Sequence, residues 1–218
     1  MESISDIRPT RLRTVPKLVD HTVRRREVAD AVIRLIRRDG VEAVTIRHVA
    51  AESGWSPGVL AHYFADKDAL LLAAFQRVAD GVLERTARRH VVGPPMSVLR
   101  WVLRNTLPMD QERHAELRVW FAFLGHALAR PALAAAQRAV YDEWRQAMAA
   151  VLRQAEQRAE LAPGTDPDGE AAALVSFVDG LALQAVFDPD RFPPRLQGEL
   201  LDARLVTLRA AEPVTTPG

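Results

Sequence analysis

TIRHVAAESGWSPGVLAHYF, residues 45–64, is the stretch on which the reading of this chain turns. Thr45 stands ahead of Ile46, Val49 and Ala50, where its hydroxyl can accept one of the backbone N–H groups left open at a helix start. The helix it begins is predicted to reach Ser53. Gly54 ends it, and a glycine there permits a sharp reversal that a β-carbon obstructs. Ser56 is a second cap and Pro57 occupies the first helical position, where a missing N–H costs nothing. A third helix therefore runs through Tyr63-Phe64. Two short helices about a tight turn at Gly54-Trp55-Ser56 have the dimensions of a helix-turn-helix. Val49, Ala50, Val59 and Leu60 are expected to pack the pair against the preceding helix. Ser56, Gly58 and His62 then face outward, with Trp55 and Tyr63 at the margin. Small residues near the start of that helix suit entry into a major groove ~12 Å wide, where base edges carry a unique donor and acceptor code.

Upstream, Val28, Val32, Leu35 and Ile36 recur at helical spacing from Asp20 onward, and Asp39-Gly40 closes the helix. Residues 1–19 hold Arg8, Arg11 and Arg13 among Pro9 and Pro16 with no sustained period, and read as a flexible basic arm. That arm suits entry into a minor groove, and equally suits a plain tail. Arg24, Arg25 and Arg26 read as a solvated helix face that also stands where phosphates would lie. Downstream, Asp66 caps a long fourth helix, with Leu70, Leu71, Ala74 and Val78 on one face, to about Arg89. Gly93-Pro94-Pro95 is the sharpest composition break. Beyond it only helical patterns follow, over about 96–106, 110–129, 131–159, 167–187 and 194–210, punctuated by prolines. The expectation is an all-α chain of about nine helices. It divides into an arm (1–19), a helix-turn-helix domain (20–66), a connecting helix (67–92) and a helical body (93–212).

Bulk properties narrow the function. A net charge of +1 excludes a grossly basic or acidic polymer, yet residues 1–92 carry 16 Lys/Arg against 12 Asp/Glu and the remainder 13 against 16. A basic front suits a polyanion partner. With no cysteine, disulfides, thiolate zinc sites and cysteine nucleophiles are excluded, which suits a reducing compartment. Apolar runs such as Ala69–Phe75 fall short of the roughly 20 residues of a membrane span. A cytoplasmic protein without membrane attachment, cofactor or metal is expected.

The run Ile46 to Leu60, then His62-Tyr63-Phe64 and Lys67-Asp68-Ala69-Leu70-Leu71, resembles the signature of the TetR family of bacterial transcriptional regulators. The resemblance extends from Arg25 to about Ala79, and its HYF-x-x-KD-x-LL form is nearest the BetI-like branch of betaine regulators. It implies that Thr45 and Ser56 both cap helices and bind DNA phosphates. It implies further that Arg47 reaches a phosphate or the groove edge, that Gly58, Val59 and His62 face the bases, and that Pro57 belongs to the same DNA-binding surface. Tyr63 and Lys67 would hold the backbone. Phe64 is expected in the core. Two departures stand out. Ala61 occupies a position where many members have tyrosine, and Trp55 replaces a small aliphatic residue, so that it either packs on the head or touches phosphates.

The body carries Trp101, Trp120, Phe123, His126, Tyr141, Trp144 and Phe177. Aromatic residues at helical spacing are ordinarily core, but polar-tipped ones in a single helical body also furnish the apolar walls and few orienting groups of a ligand site. The resemblance implies such a site among the middle helices. A quaternary ammonium held by cation–π attraction is what its BetI-like branch suggests. Asp110, Glu112 and Glu116, with Arg113 and Arg118 on the same helix, read as a surface ion-pair set. The last two helices are the expected dimer surface. Ala171, Leu174, Val175, Val178, Leu181, Ala182 and Ala185 form an apolar band, extended by Leu196, Leu200, Leu201, Leu205 and Leu208. A dimer would present two heads to a palindromic operator at a spacing of roughly 34–36 Å. The function expected is a repressor released from double-stranded DNA by a small-molecule effector. The rivals are a helical enzyme, an architectural DNA-binding protein without ligand response, and a helical ligand carrier. The enzyme would show turnover, the architectural protein uniform weak binding, and the carrier none.

Overall fold

In a computed structural model, residues 18–88 and 93–210 are described. The basic arm expected over residues 1–19 falls, but for its last two positions, outside them. Nine α-helices occur among the described residues: α1 (Leu18–Asp39), α2 (Ile46–Ser53), α3 (Pro57–Tyr63), α4 (Lys67–Arg88), α5 (Pro95–Asn105), α6 (Gln111–Ala127), α7 (Pro131–Gln157), α8 (Pro167–Phe187) and α9 (Pro194–Val206). A single 3-10 turn, Val41–Ala43, follows α1 and was not foreseen. Five of the nine helices open on a proline in their first turn. These prolines start helices more than they stop them, because the fixed φ suits a helix and the missing N–H has no intrahelical partner there.

Local chemistry explains the head. The Thr45 side chain accepts from the His48 N–H at 3.1 Å, and Ser56 Oγ accepts from the Val59 N–H at 3.3 Å. Asp66 Oδ1 accepts from the Ala69 N–H at 2.8 Å to start α4. Gly54 has φ 74°, the left-handed conformation that closes α2, and the next amide, Trp55 N–H, returns to the Ala50 carbonyl at 2.9 Å. Val28, Val32, Val49 and Leu60 are fully buried in the seam of α1, α2 and α3. Val59 departs from expectation: it is 45% exposed and does not pack the pair. Leu60 fills the inward position, and one residue earlier in the helix the turn of about 100° per residue carries the Val59 side chain away from the core.

The head does not end at α4. Phe75 on α4 stacks on Phe123 of α6 with centroids 4.0 Å apart, and Trp120 lies 4.9 Å from the same ring. One apolar cluster therefore runs from α1 through α4 into α6. A second cluster joins α5, α7, α8 and α9, and Leu117, Phe121 and Tyr141 pack against both. Helix α4 is fastened along α6 at three heights: His126 Nε2 to Asp68 Oδ1 at 2.8 Å, the Phe75–Phe123 stack, and a bidentate Arg85–Glu116 pair at 2.8 Å for each bond. Arg130 reinforces the first link, 3.1 Å from Asp68.

The apolar band of α8 is a correction. Ala171, Leu174, Val175, Val178, Leu181, Ala182 and Ala185 are all buried within the chain itself, as are Leu201, Leu205 and Leu208. They form the body's core because α7 lies along that face of α8. The outward stripe consists of Ala173, Ser176, Gly180, Leu183 and Phe187, at spacings of three and four. Phe187 is 82% exposed, and Leu200 and Val206 are exposed on α9. By length and composition α8 is apolar enough to cross a membrane. Its buried band and its acidic start at Asp168 and Glu170 are those of a core helix.

Candidate nucleic-acid interface and body cavity

Thr45, Arg47, Ser56, Pro57, Gly58, Val59 and His62 are all exposed, while Trp55, Tyr63 and Lys67 are half-buried. The exposed set extends from the start of α2 across the start and outer side of α3. Gly58 is informative. A β-carbon built there meets no atom within 4 Å, and a glycine in a helix costs about 0.5–1 kcal/mol relative to alanine. No contact among the described residues fills that space, so a surface approaching α3 from outside would find it open.

The half-buried residues brace the face. The Trp55 and Tyr63 rings meet edge to face at 5.6 Å, and His62 meets Tyr63 at 5.7 Å. The Arg24 guanidinium donates to the Tyr63 hydroxyl at 3.2 Å and lies 5.8 Å from the Trp55 ring. Arg25 lies 4.9 Å from Phe64, which is buried as expected. Arg24 and Arg25 thus tie α1 to α3 as well as presenting charge, a role that their sequence position did not reveal. The Trp55 ring packs on the head, and Lys67 Nζ pairs with exposed Glu42 at 3.2 Å.

In the body, Trp120 and Trp144 stack at 5.8 Å and line a narrow cavity of about 30 Å³, room for no more than a few waters. Val78 and Val82 of α4, Leu117 of α6 and Val178 of α8 supply further apolar wall. The polar lining is Arg85, Asn105, Arg113, Glu116 and Asp179. Arg113 is held by Asp110 at 2.8 Å, and Arg85 by Glu116. Asp179 accepts the Tyr141 hydroxyl and among the described residues has no cationic partner. Burial pushes the Asp179 carboxyl above the usual carboxylate range, against the opposing effect of the Tyr141 hydrogen bond. The Tyr141 phenol is pushed up as well, by burial first and by Asp179 second.

Of the seven body residues expected at a ligand site, Trp120 and Trp144 line the cavity and Tyr141 reaches it through Asp179. Phe123 is buried in the α4–α6 stack, and His126 is spent on Asp68. Trp101 and Phe177 stand away from the lining. Glu116 is not part of a surface set: its side chain is 18% exposed and paired across to α4. The signal for Asp179 was present in the sequence, as a lone acid inside the apolar run 171–187. Arg85 and Glu116 gave none, since 31 residues separate them.

Comparison with known proteins agrees in both halves. Residues 28–74 match the family described as bacterial regulatory proteins, tetR family, and residues 95–210 match the BetI-type transcriptional repressor, C-terminal domain. The HTH-type transcriptional regulator PksA of Bacillus subtilis is 35% identical over 180 residues, 81% of this chain and 85% of that protein. BetI of Paraburkholderia phytofirmans is 28% identical over 180 residues, covering 82% of this chain and 89% of its own length. Among solved structures, a transcriptional regulator from Rhodococcus sp. Rha1 superposes with TM-score 0.77 at 29% identity, over 87% of this chain and 99% of its own. A regulator from Saccharomonospora viridis, solved in complex with choline, superposes with TM-score 0.78 at 23% identity, over 88% of this chain and the whole of its own.

Proposed function

The chain belongs to the TetR family of bacterial DNA-binding transcriptional regulators, with a BetI-type C-terminal domain, and on that footing we propose that it is a dimeric repressor released from a palindromic operator by a compact organic cation. Residues 20–66 read DNA, α4 transmits, and residues 93–212 sense and dimerise. The DNA face is Thr45, Arg47, Ser56, Pro57, Gly58, Val59 and His62, with Lys67 on the phosphates and Trp55 and Tyr63 behind. Phosphate contacts orient the head, and the Gly58–His62 side of α3 reads bases.

The observation that carries the effector reading is Asp179. It is a carboxylate facing a cavity walled by two indoles, and among the described residues no cation neutralises it. A cation with an apolar body satisfies the acid and the aromatic faces together. The choline bound by the Saccharomonospora viridis protein is of that class. The outward stripe of α8 suits a two-fold interface, because Ala173, Ser176 and Gly180 allow close approach and Leu183 and Phe187 supply apolar area. Sensing rather than turnover is the role of the cavity.

The test is a genomic pull-down on the purified protein, followed by titration of the recovered fragment at two salt concentrations with and without choline. A palindrome bound by one dimer, with affinity falling steeply with salt and lost on adding choline, is expected. Uniform weak binding to all fragments identifies an architectural protein instead. A specific palindrome that no cation releases refutes the effector class alone.

A further inference from the structure

Two spaces in the molecule share a wall. The narrow cavity lies inside the body. Outside it, α1, α4 and α6 enclose a cleft of about 450 Å³ lined by Asp30, Arg37, Arg77 and Glu112 among others. Val78, Arg85 and Glu116 line both spaces. The bidentate Arg85–Glu116 pair therefore stands as a door between the cleft at the head–body junction and the indole-walled interior. Both partners are largely shielded from solvent, with side chains 32% and 18% exposed.

We infer that the effector's cation seat lies between the two acids that line the cavity, Asp179 and Glu116, that the Arg85 guanidinium is its built-in occupant on the Glu116 side, and that the effector enters from the cleft by replacing Arg85 there. This rests on the reading of the cavity as the effector site. The cavity as it stands holds only a few waters, so an organic cation enters only if a group moves aside. Glu116 is poorly solvated, and leaving it without a positive charge is expensive. Withdrawal of Arg85 becomes favourable only when another cation arrives, which makes the exchange selective for charge. The exchange is also felt at the DNA face. Arg85 lies on α4 some 18 residues after Lys67, about 27 Å along the helix. Its bond to Glu116 is one of the three fastenings of α4 to α6, so exchange frees the far end of the helix that carries the head.

The experiment uses full-length protein with Trp55 and Trp101 replaced by phenylalanine, so that Trp120 and Trp144 report binding. Choline is titrated alongside its neutral isostere, 3,3-dimethyl-1-butanol. Arg85→Met keeps the apolar stem and removes the competing charge, and is expected to bind choline at least tenfold more tightly than the parent, with no gain for the alcohol. Arg85→Met with Glu116→Gln loses that gain. Glu116→Gln alone, which retains the Arg85 hydrogen bond, weakens choline at least tenfold and serves if Arg85→Met does not fold. Arg85→Met also leaves the operator at lower choline concentration. If the parent binds choline and Arg85→Met binds it no more tightly, the exchange is refuted while the cation cavity stands. If neither protein binds choline, both readings fall. Tighter binding without easier operator release refutes the link to α4.

Discussion

Replacing Gly58 by alanine separates what the fold needs from what the DNA face needs. The added methyl meets nothing within 4 Å in the free protein, and Gly58 stands in the first turn of α3. The change therefore removes part of the glycine penalty, about 0.5 kcal/mol at the low end of the usual range because the first turn is the least demanding. For a chain of this size that raises the melting midpoint by about 1–2 °C. Against DNA the same methyl holds α3 off by about 1.5 Å, one carbon–carbon bond. That takes a base-edge hydrogen bond out of range, and a good base contact is worth about 1–3 kcal/mol. Operator affinity is expected to fall at least tenfold, while low-salt binding to unrelated DNA, which rests on phosphates, changes little. Thermal melting followed by circular dichroism and fluorescence anisotropy on the recovered palindrome measure the two effects. A lower melting point shows that the head itself needs Gly58. Unchanged operator affinity shows that this side of α3 does not meet bases.

Lys67→Ala is expected to weaken specific and non-specific DNA binding alike and to reduce the slope of log affinity against log salt by about one per head, read from titrations at four or five salt concentrations. Asp179→Asn probes the buried acid. A carboxyl whose folded pKa is raised is tolerated at low pH and costs stability as pH rises through that pKa, so the variant should melt higher than the parent at pH 7.5, with the difference vanishing towards pH 4. The same variant should bind choline more weakly, and an unchanged melting profile across that range contradicts the burial argument. Phe123→Ala removes a ring stacked between head and body, at a cost of about 3–5 kcal/mol. Calorimetry should show one transition moved down as a whole, whereas separate melting of head and body contradicts the continuous core. Leu183→Glu with Phe187→Glu should yield a folded monomer by sedimentation, and a persistent dimer places the interface elsewhere.

Local chemistry made the head legible from residues alone. Thr45, Gly54, Ser56 and Pro57 act through their own backbone and that of residues at most five positions away, so their pattern fixes where α2 and α3 start and stop. Helix spans in the body were legible for the same reason, since proline and glycine act where they stand. Asp179 is a lone acid within the apolar run 171–187, but that the residue lines a space is decided by the packing around it. What the sequence could not decide is which side of an apolar helix meets its own chain. The band of α8 has the same period whether it faces α7 or a second subunit, and only packing assigned it to the core and left Leu183 and Phe187 outside. Nor does periodicity say which aromatics surround a space and which fill one: Phe123 became core and Trp144 a wall. The Arg85–Glu116 and Asp68–His126 links join positions 31 and 58 residues apart. Pairing of that kind depends on how helices cross, which is settled by the packing of all their side chains together and not by any residue read in turn.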